Sequence, residues 1–174
     1  QNDHFTTGDA SSKPNGIVTA STAGVTATGL TATVTYDLIM DLIHSVDPAY
    51  RDNGKFMFHD GGLKMLKKVK VLQYSGDTVG VPLWQPSLVA GQADRIHGYE
   101  YVVNQSMTTP ATTVKSILFG DFSKYIIRDA GEIRLVRMDE RYADYDQVGF
   151  TAFMRSDGDL LDAGTHPVKH LVQG

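Results

Sequence analysis

The residues best able to do chemistry in this chain are its six histidines and the aspartates near them. An imidazole nitrogen binds zinc or carries protons near neutral pH, so a working site should show histidines and carboxylates at spacings that bring them to one point. His4, His44, His59 and His97 have no partner at such a spacing. His166 and His170 are four apart and would share one face of a helix. No glutamate separates them as in the zinc-protease pattern, and a third ligand would have to come from elsewhere. Phe58-His-Asp-Gly61 has the look of a phosphohydrolase pair. Its further ligands are not recognisable, and Asp60 as a helix N-cap accounts for the residue without chemistry. Gly61-Gly62 lacks the lysine and spacing of a phosphate loop, and the chain contains no Gly-x-Ser-x-Gly elbow. The sequence therefore assigns no catalytic, cofactor-binding or metal-binding residue, and the expectation is a protein that is not an enzyme and carries no cofactor. A metal-dependent hydrolase built on His59, Asp60 and a terminal histidine is the rival reading.

Three other clusters could make contacts. Lys64, Lys67 and Lys68 share a face at helical spacing, with Lys70 beside them. They read as a solvated face, a subunit contact or a phosphate contact. Asp139-Glu-Arg-Tyr-Ala-Asp-Tyr-Asp146 is dense in charge and aromatics. It lacks calcium-loop spacing and reads as an interface or as a polar link between strands. Trp84, the only tryptophan, stands between Pro82 and Pro86 and reads as a loop anchor or a subunit contact.

Composition bounds the setting. A chain of 174 residues, 41% apolar and 21% charged, is an ordinary globular sequence, long enough for one domain or two small lobes sharing a core. No apolar run is long enough to span a bilayer, and no membrane partner is expected. The absence of cysteine excludes disulfides and thiolate metal sites. A net charge of −4, from 16 basic and 20 acidic residues, gives no global attraction for nucleic acid.

The elements that would position these residues are of mixed type. Lys13-Pro-Asn-Gly16 signals a turn, Ile17-Val-Thr19 a short strand leaving it, and residues 20–33 a loop with strand pieces. Leu38, Ile39, Leu42, Ile43 and Val46 predict a helix capped by Thr35 and ended at Asp47-Pro48. A polar turn over 48–54, a buried strand over 55–59 and a second helix with Leu63, Leu66 and Val69 inward follow. Tyr99-Glu-Tyr-Val-Val103 reads as a strand and residues 107–113 as a loop.

Residues 116–158 organise the rest. An apolar segment crosses the core and breaks at Gly120-Asp121, a turn expected to need positive φ. Two strands over 132–138 and 149–156 should pair antiparallel, with Ile17 and its neighbours close by. Ile133, Leu135 and Arg137 fall on one face of the first strand, and Arg134, Val136 and Met138 on the other. Asp157-Gly158 should turn the chain, and Pro167 should open a short terminal helix. The fold class is α+β.

The order of these pieces resembles the major capsid protein of tailed double-stranded DNA bacteriophages, the Hong Kong 97 type. Four stretches carry the likeness: Phe5-Thr-Thr-Gly-Asp-Ala-Ser-Ser-Lys-Pro-Asn-Gly-Ile17, Leu83-Trp-Gln-Pro-Ser-Leu-Val-Ala-Gly91 with Ile96-His-Gly98 and Met107, Leu118-Phe-Gly-Asp-Phe-Ser123, and Phe153-Met-Arg-Ser-Asp-Gly158. The resemblance implies an axial domain over 20–117, with 1–19 and 122–174 as part of a discontinuous peripheral domain. Relatives carry an N-terminal arm, an extended loop and a long spine helix ahead of this point. Nothing before Phe5 supplies them, so the chain is expected to be a C-terminal portion that leaves apolar faces of its terminal strands uncovered. The implied function is a structural subunit of a phage or prophage icosahedral shell, self-assembling into pentamers and hexamers. Implied partners are further copies of itself, scaffolding or portal proteins, and packaged double-stranded DNA held non-specifically. The implied location is the virion, with the host cytoplasm during assembly. Some relatives cross-link through an asparagine and a glutamate of the region 132–158; no asparagine stands there. An encapsulin-type nanocompartment shell, of the same fold, is the alternative.

Overall fold

The computed structural model describes residues 2–27, 34–71, 80–87, 94–141, 143–162 and 164–174. Its centre is β8 (Lys115–Gly120), in which every residue from Ser116 to Gly120 is buried. A strand covered on both faces reads as a continuous apolar run, which is the pattern of Ile117-Leu-Phe119. β8 lies third in a five-stranded sheet of order β1-β13-β8-β2-β7. The partners are β1 (Thr22–Ala27), β13 (Val168–Gln173), β2 (Lys55–Phe58) and β7 (Glu100–Val103). β13 and β2 flank β8 antiparallel, and β1 and β7 add parallel to them at the edges.

One sheet face is covered by α3 (Tyr36–Ser45) and α5 (Asp60–Leu66), which bring Ile39, Leu42, Ile43 and Leu66 against Phe56, Phe58, Ile117, Phe119 and Leu171. The rings of Phe56 and Phe119 lie 4.7 Å apart, and Tyr99 meets Phe119 edge-on at 5.0 Å. Each fully buried side chain of this size contributes about 1.5–3 kcal/mol. Thr35 caps α3 as its sequence predicts, accepting from the Leu38 N–H. The other face carries Leu118 and Val168 under Val18 and Ala20, with Met107 and Leu160.

Several local expectations give way. Ile17-Val-Thr19 is not a strand: α1 (Asn2–Thr7) and α2 (Ile17–Ala20) are helical, and Val18 lies over Leu118 and Val168. The strand comes a few residues later as β1, and residues 28–33 of that stretch lie outside the described residues. The polar turn over 48–54 contains α4 (Pro48–Arg51), capped by Asp47. The terminal helix after Pro167 does not exist; that stretch is β13, an inner strand of the main sheet. A short apolar run such as Val168-Lys-His-Leu-Val172 fits either state locally, and the vacancy between β1 and β8 decides it. Minor ribbons pair β3 (Lys70–Val71) with β4 (Val81–Pro82) and β5 (Trp84–Gln85) with β6 (Arg95–Ile96). Ser75-Gly76-Asp77, a glycine-centred polar triplet that punctuates the sequence after the second helix, falls outside the described residues.

After Gly120 the chain leaves the sheet through a 3-10 turn, Phe122–Lys124, whose Ser123 N–H is held by Asp121. It continues as β9 (Tyr125–Asp129), β10 (Arg134–Met138), β11 (Gly149–Phe153) and β12 (Ser156–Leu160). β10 pairs antiparallel with β11, as the sequence predicts, and β9 with β12. Asp157-Gly158 is therefore not a turn but the middle of β12.

Candidate assembly surface

The hairpin β10–β11 projects from the fold. Its strands contact one another extensively and, among the described residues, no other element to a similar degree. Register places Leu135 opposite Ala152 and Arg137 opposite Phe150 on one face, which alternation extends to Ile133 and Met154. Leu135 and Phe150 are 66% and 64% exposed. The other face carries Val136 and Met138, half-buried, beside Phe153, which is 57% exposed. The apolar faces expected to be uncovered are thus uncovered in this chain. Ile126 and Ile127 of β9 extend the exposed apolar surface. Large apolar side chains exposed on several neighbouring strand positions are of the kind found at interaction sites.

The link between the strands, residues 139–146, contains a second 3-10 turn, Ala143–Tyr145, and exposes Tyr145. Arg137 Nε meets Asp139 Oδ1 at 2.6 Å. The base of the projection is tied to the N-terminal segment: the Asn15 N–H donates to Gly158 O at 3.0 Å, Asn15 Nδ2 to Asp159 Oδ1 at 2.8 Å, and Tyr125 O–H to Asn15 O at 2.8 Å. Ile17 and its neighbours thus lie near β12 rather than near the hairpin. Burial, with the carboxylates of Asp159 and Asp157 adding to it, pushes the Tyr125 hydroxyl up to about 12, so it remains a donor at any working pH.

The residues that promised chemistry are scattered. His59, not Asp60, caps α5: its Nδ1 accepts from the Gly61 N–H at 3.0 Å, and Asp60 is the first helical residue. His44 Nδ1 contacts Arg51, and His97 packs edge-on against Tyr36. His166 and His170 do not share a helical face. His166 lies in the loop before β13, its Nδ1 against Asp162 Oδ2 and Thr22 Oγ1, and His170 is inside the sheet against Ser21. The hydrogen bond from the His166 backbone first, with those from its ring and from Gly164, holds the Asp162 carboxyl below its ordinary value although burial works against them. No group of three or more histidine or acidic side chains among the described residues converges as a metal site would require. Among the described residues, no further histidine or carboxylate joins His59 and Asp60 in such a group.

Lys64, Lys67, Lys68 and Lys70 are exposed, and the Lys67 ammonium sits 4.4 Å above the Trp84 ring, a cation–π contact that ties α5 to the half-buried tryptophan. A cleft of about 700 Å³ opens beside Asp121 and Ser123 at the starts of β2 and β7. Lys55 and Glu100 pair across its lining at 2.7 Å, with Arg95 at 3.9 Å, so these charges answer one another. The Lys55 hydrogen bond holds the Glu100 carboxyl below its ordinary value.

The scaffold is α+β, His59 caps a helix, His170 lies inside the sheet, and the β10–β11 hairpin presents exposed apolar side chains. Comparison with known proteins gives the family. The model described as the phage capsid family matches residues 1–170, and the chain belongs to that family. Among solved structures it is similar to the capsid of an empty GTA particle computed with C5 symmetry, at 28% identity over 97% of this chain and 64% of that one, with a TM-score of 0.76. The capsid of a native GTA particle, also computed with C5 symmetry, is similar at 27% identity over 99% of this chain and 60% of that one, with a TM-score of 0.79. Gordonia phage Cozz shares the fold at 14% identity, covering 99% and 58% of the two chains with a TM-score of 0.63. The chain thus spans 58–64% of the length of these structures. No curated protein matches. The fold is that of phage-type capsid proteins, and family and fold are those of a structural protein.

Proposed function

We propose that this chain forms part of a shell subunit that tiles an icosahedral phage or prophage capsid, copies associating into pentamers and hexamers. The observation that carries the reading is the family match over 1–170 in a chain whose β10–β11 hairpin exposes Leu135 and Phe150. Burying large apolar side chains at an interface between copies gains roughly 1.5–3 kcal/mol for each, and closed symmetry multiplies contacts that are individually weak. Catalysis has no place in this reading. Residues 20–117 would form the axial domain, with 1–19 and 122–174 contributing to a peripheral one; β13 would join the two, since it pairs with β1 and β8. Partners would be further copies of the chain, scaffolding or portal proteins, and DNA met non-specifically. The subunit would assemble in the host cytoplasm and end in the virion.

Electron microscopy of the protein purified from the cells that make it tests this. Closed shells are the expected result. A protein that stays monomeric at high concentration and carries stoichiometric zinc or manganese would overturn it, and shells enclosing a cargo protein instead of DNA would make it a nanocompartment.

A further inference from the structure

Of the six histidines, His170 alone is buried, at 4% exposure. Register places it opposite Leu118 on β8, on the sheet face that α2 covers. Its Nδ1 lies 2.8 Å from Ser21 Oγ, and Ser21 Oγ donates to Val18 O at 2.8 Å. Lys115 Nζ donates to the same carbonyl at 3.0 Å. A hydroxyl has one proton to give. With that proton on Val18 O, Nδ1 must donate to Ser21 Oγ, which places the hydrogen of the neutral ring on Nδ1. Three stretches distant in sequence are thereby joined: the junction of α2 and β1, which holds Val18 and Ser21, the start of β8 and the middle of β13.

We propose that this network is an acid-sensitive latch: neutral His170 holds the N-terminal helical segment, residues 2–20, on the sheet, and protonation of the ring releases it.

The surroundings make a cation costly there. β8 presents Lys115, a positive charge. α2 and β1 contain no ionisable residue, and on β13 itself Lys169 points to the opposite face by alternation. No carboxylate faces the ring from these elements. Burial first, and the Lys115 charge second, push the His170 imidazole down to about 4. Burial also lowers the pKa of Lys115. An imidazole freed by opening takes its proton near about 6.5, well above the pH at which the latched ring does. The opened form therefore binds more protons between those values. Latch stability is complete above about pH 6.5 and falls by up to about tenfold per pH unit as the pH drops through that window toward the folded value.

Site-resolved amide exchange, corrected for intrinsic rates and followed from pH 7.5 to 4.5, reads the latch directly. The Ala20 and Ser21 amides, bonded to Gly16 O and Ile17 O, should lose protection by up to about tenfold per pH unit below about 6.5, while Phe56 and Phe119 keep theirs. His170→Gln should flatten that slope. Lys115→Met should raise the pH at which the His170 ring titrates, seen by NMR, and shrink the total loss; this variant and the ring titration decide the matter if His170→Gln fails to fold. The proposal fails if His170 in the native chain titrates near 6.5, if Ala20 and Phe119 lose protection together, or if the slope persists in His170→Gln.

Discussion

At the scale of single residues, Gly120 carries the tightest constraint in the crossing segment. Its φ is +151°, and a Cβ there would run into Pro167 O and lie 2.7 Å from Val168 Cα. The sequence pointed to this glycine for a turn with positive φ; the close passage of residues 167–168 beside β8 is the larger reason it must lack a side chain. Gly120→Val should lower stability by about 1–3 kcal/mol from backbone strain alone, with the clash adding to that, read as a lower urea midpoint. His59→Ala removes the α5 cap and should cost about 0.5–2 kcal/mol without changing the metal content of the purified protein; a loss of bound metal on that substitution would return the residue to the chemistry its neighbours suggested. Ser21 and His170, 149 residues apart, could not be paired from sequence, because no periodicity links a helix cap to a strand so distant.

At the scale of elements, what could be read in advance had a local cause. α3 is legible because a cap, an acidic first turn and a single apolar face agree. β10–β11 is legible because alternation on both strands fixes the register. β1 is legible only as a strand piece within a loop, since Thr22-Ala-Gly-Val-Thr-Ala27 mixes β-branched residues with alanine and glycine and is held by its neighbour β13. β13 was misread because proline at position 167 suits the first turn of a helix as well as the entry to a strand. The hairpin yields a prediction that separates folding from assembly. Leu135→Lys with Phe150→Lys should change the thermal stability of the chain by no more than about 0.5 kcal/mol per substitution, since both side chains are exposed. The same pair in the shell-forming protein should abolish particles under the electron microscope. A large fall in melting temperature would instead mean that these residues pack within the chain.

At the scale of the whole molecule, the sheet depends on a pairing that spans nearly the whole sequence. β13 is the inner strand that joins β1 to β8, so deleting residues 168–174 should remove cooperative unfolding altogether rather than fray an end; far-ultraviolet circular dichroism against urea would show it. The same arrangement has a consequence in time. Thr22–Ala27 pairs with no described strand except Val168–Gln173, and about 140 residues separate them. At ribosomal rates of about 5–20 residues per second, the earlier strand emerges roughly 7–28 s before its partner exists. During that interval its backbone edge is unclaimed among crowded nascent chains. A strand composed of threonine, alanine and glycine, with one valine, offers little for another chain to adhere to while it waits. The small side chains that leave only strand pieces legible in this stretch are thus what let it be made early and used late.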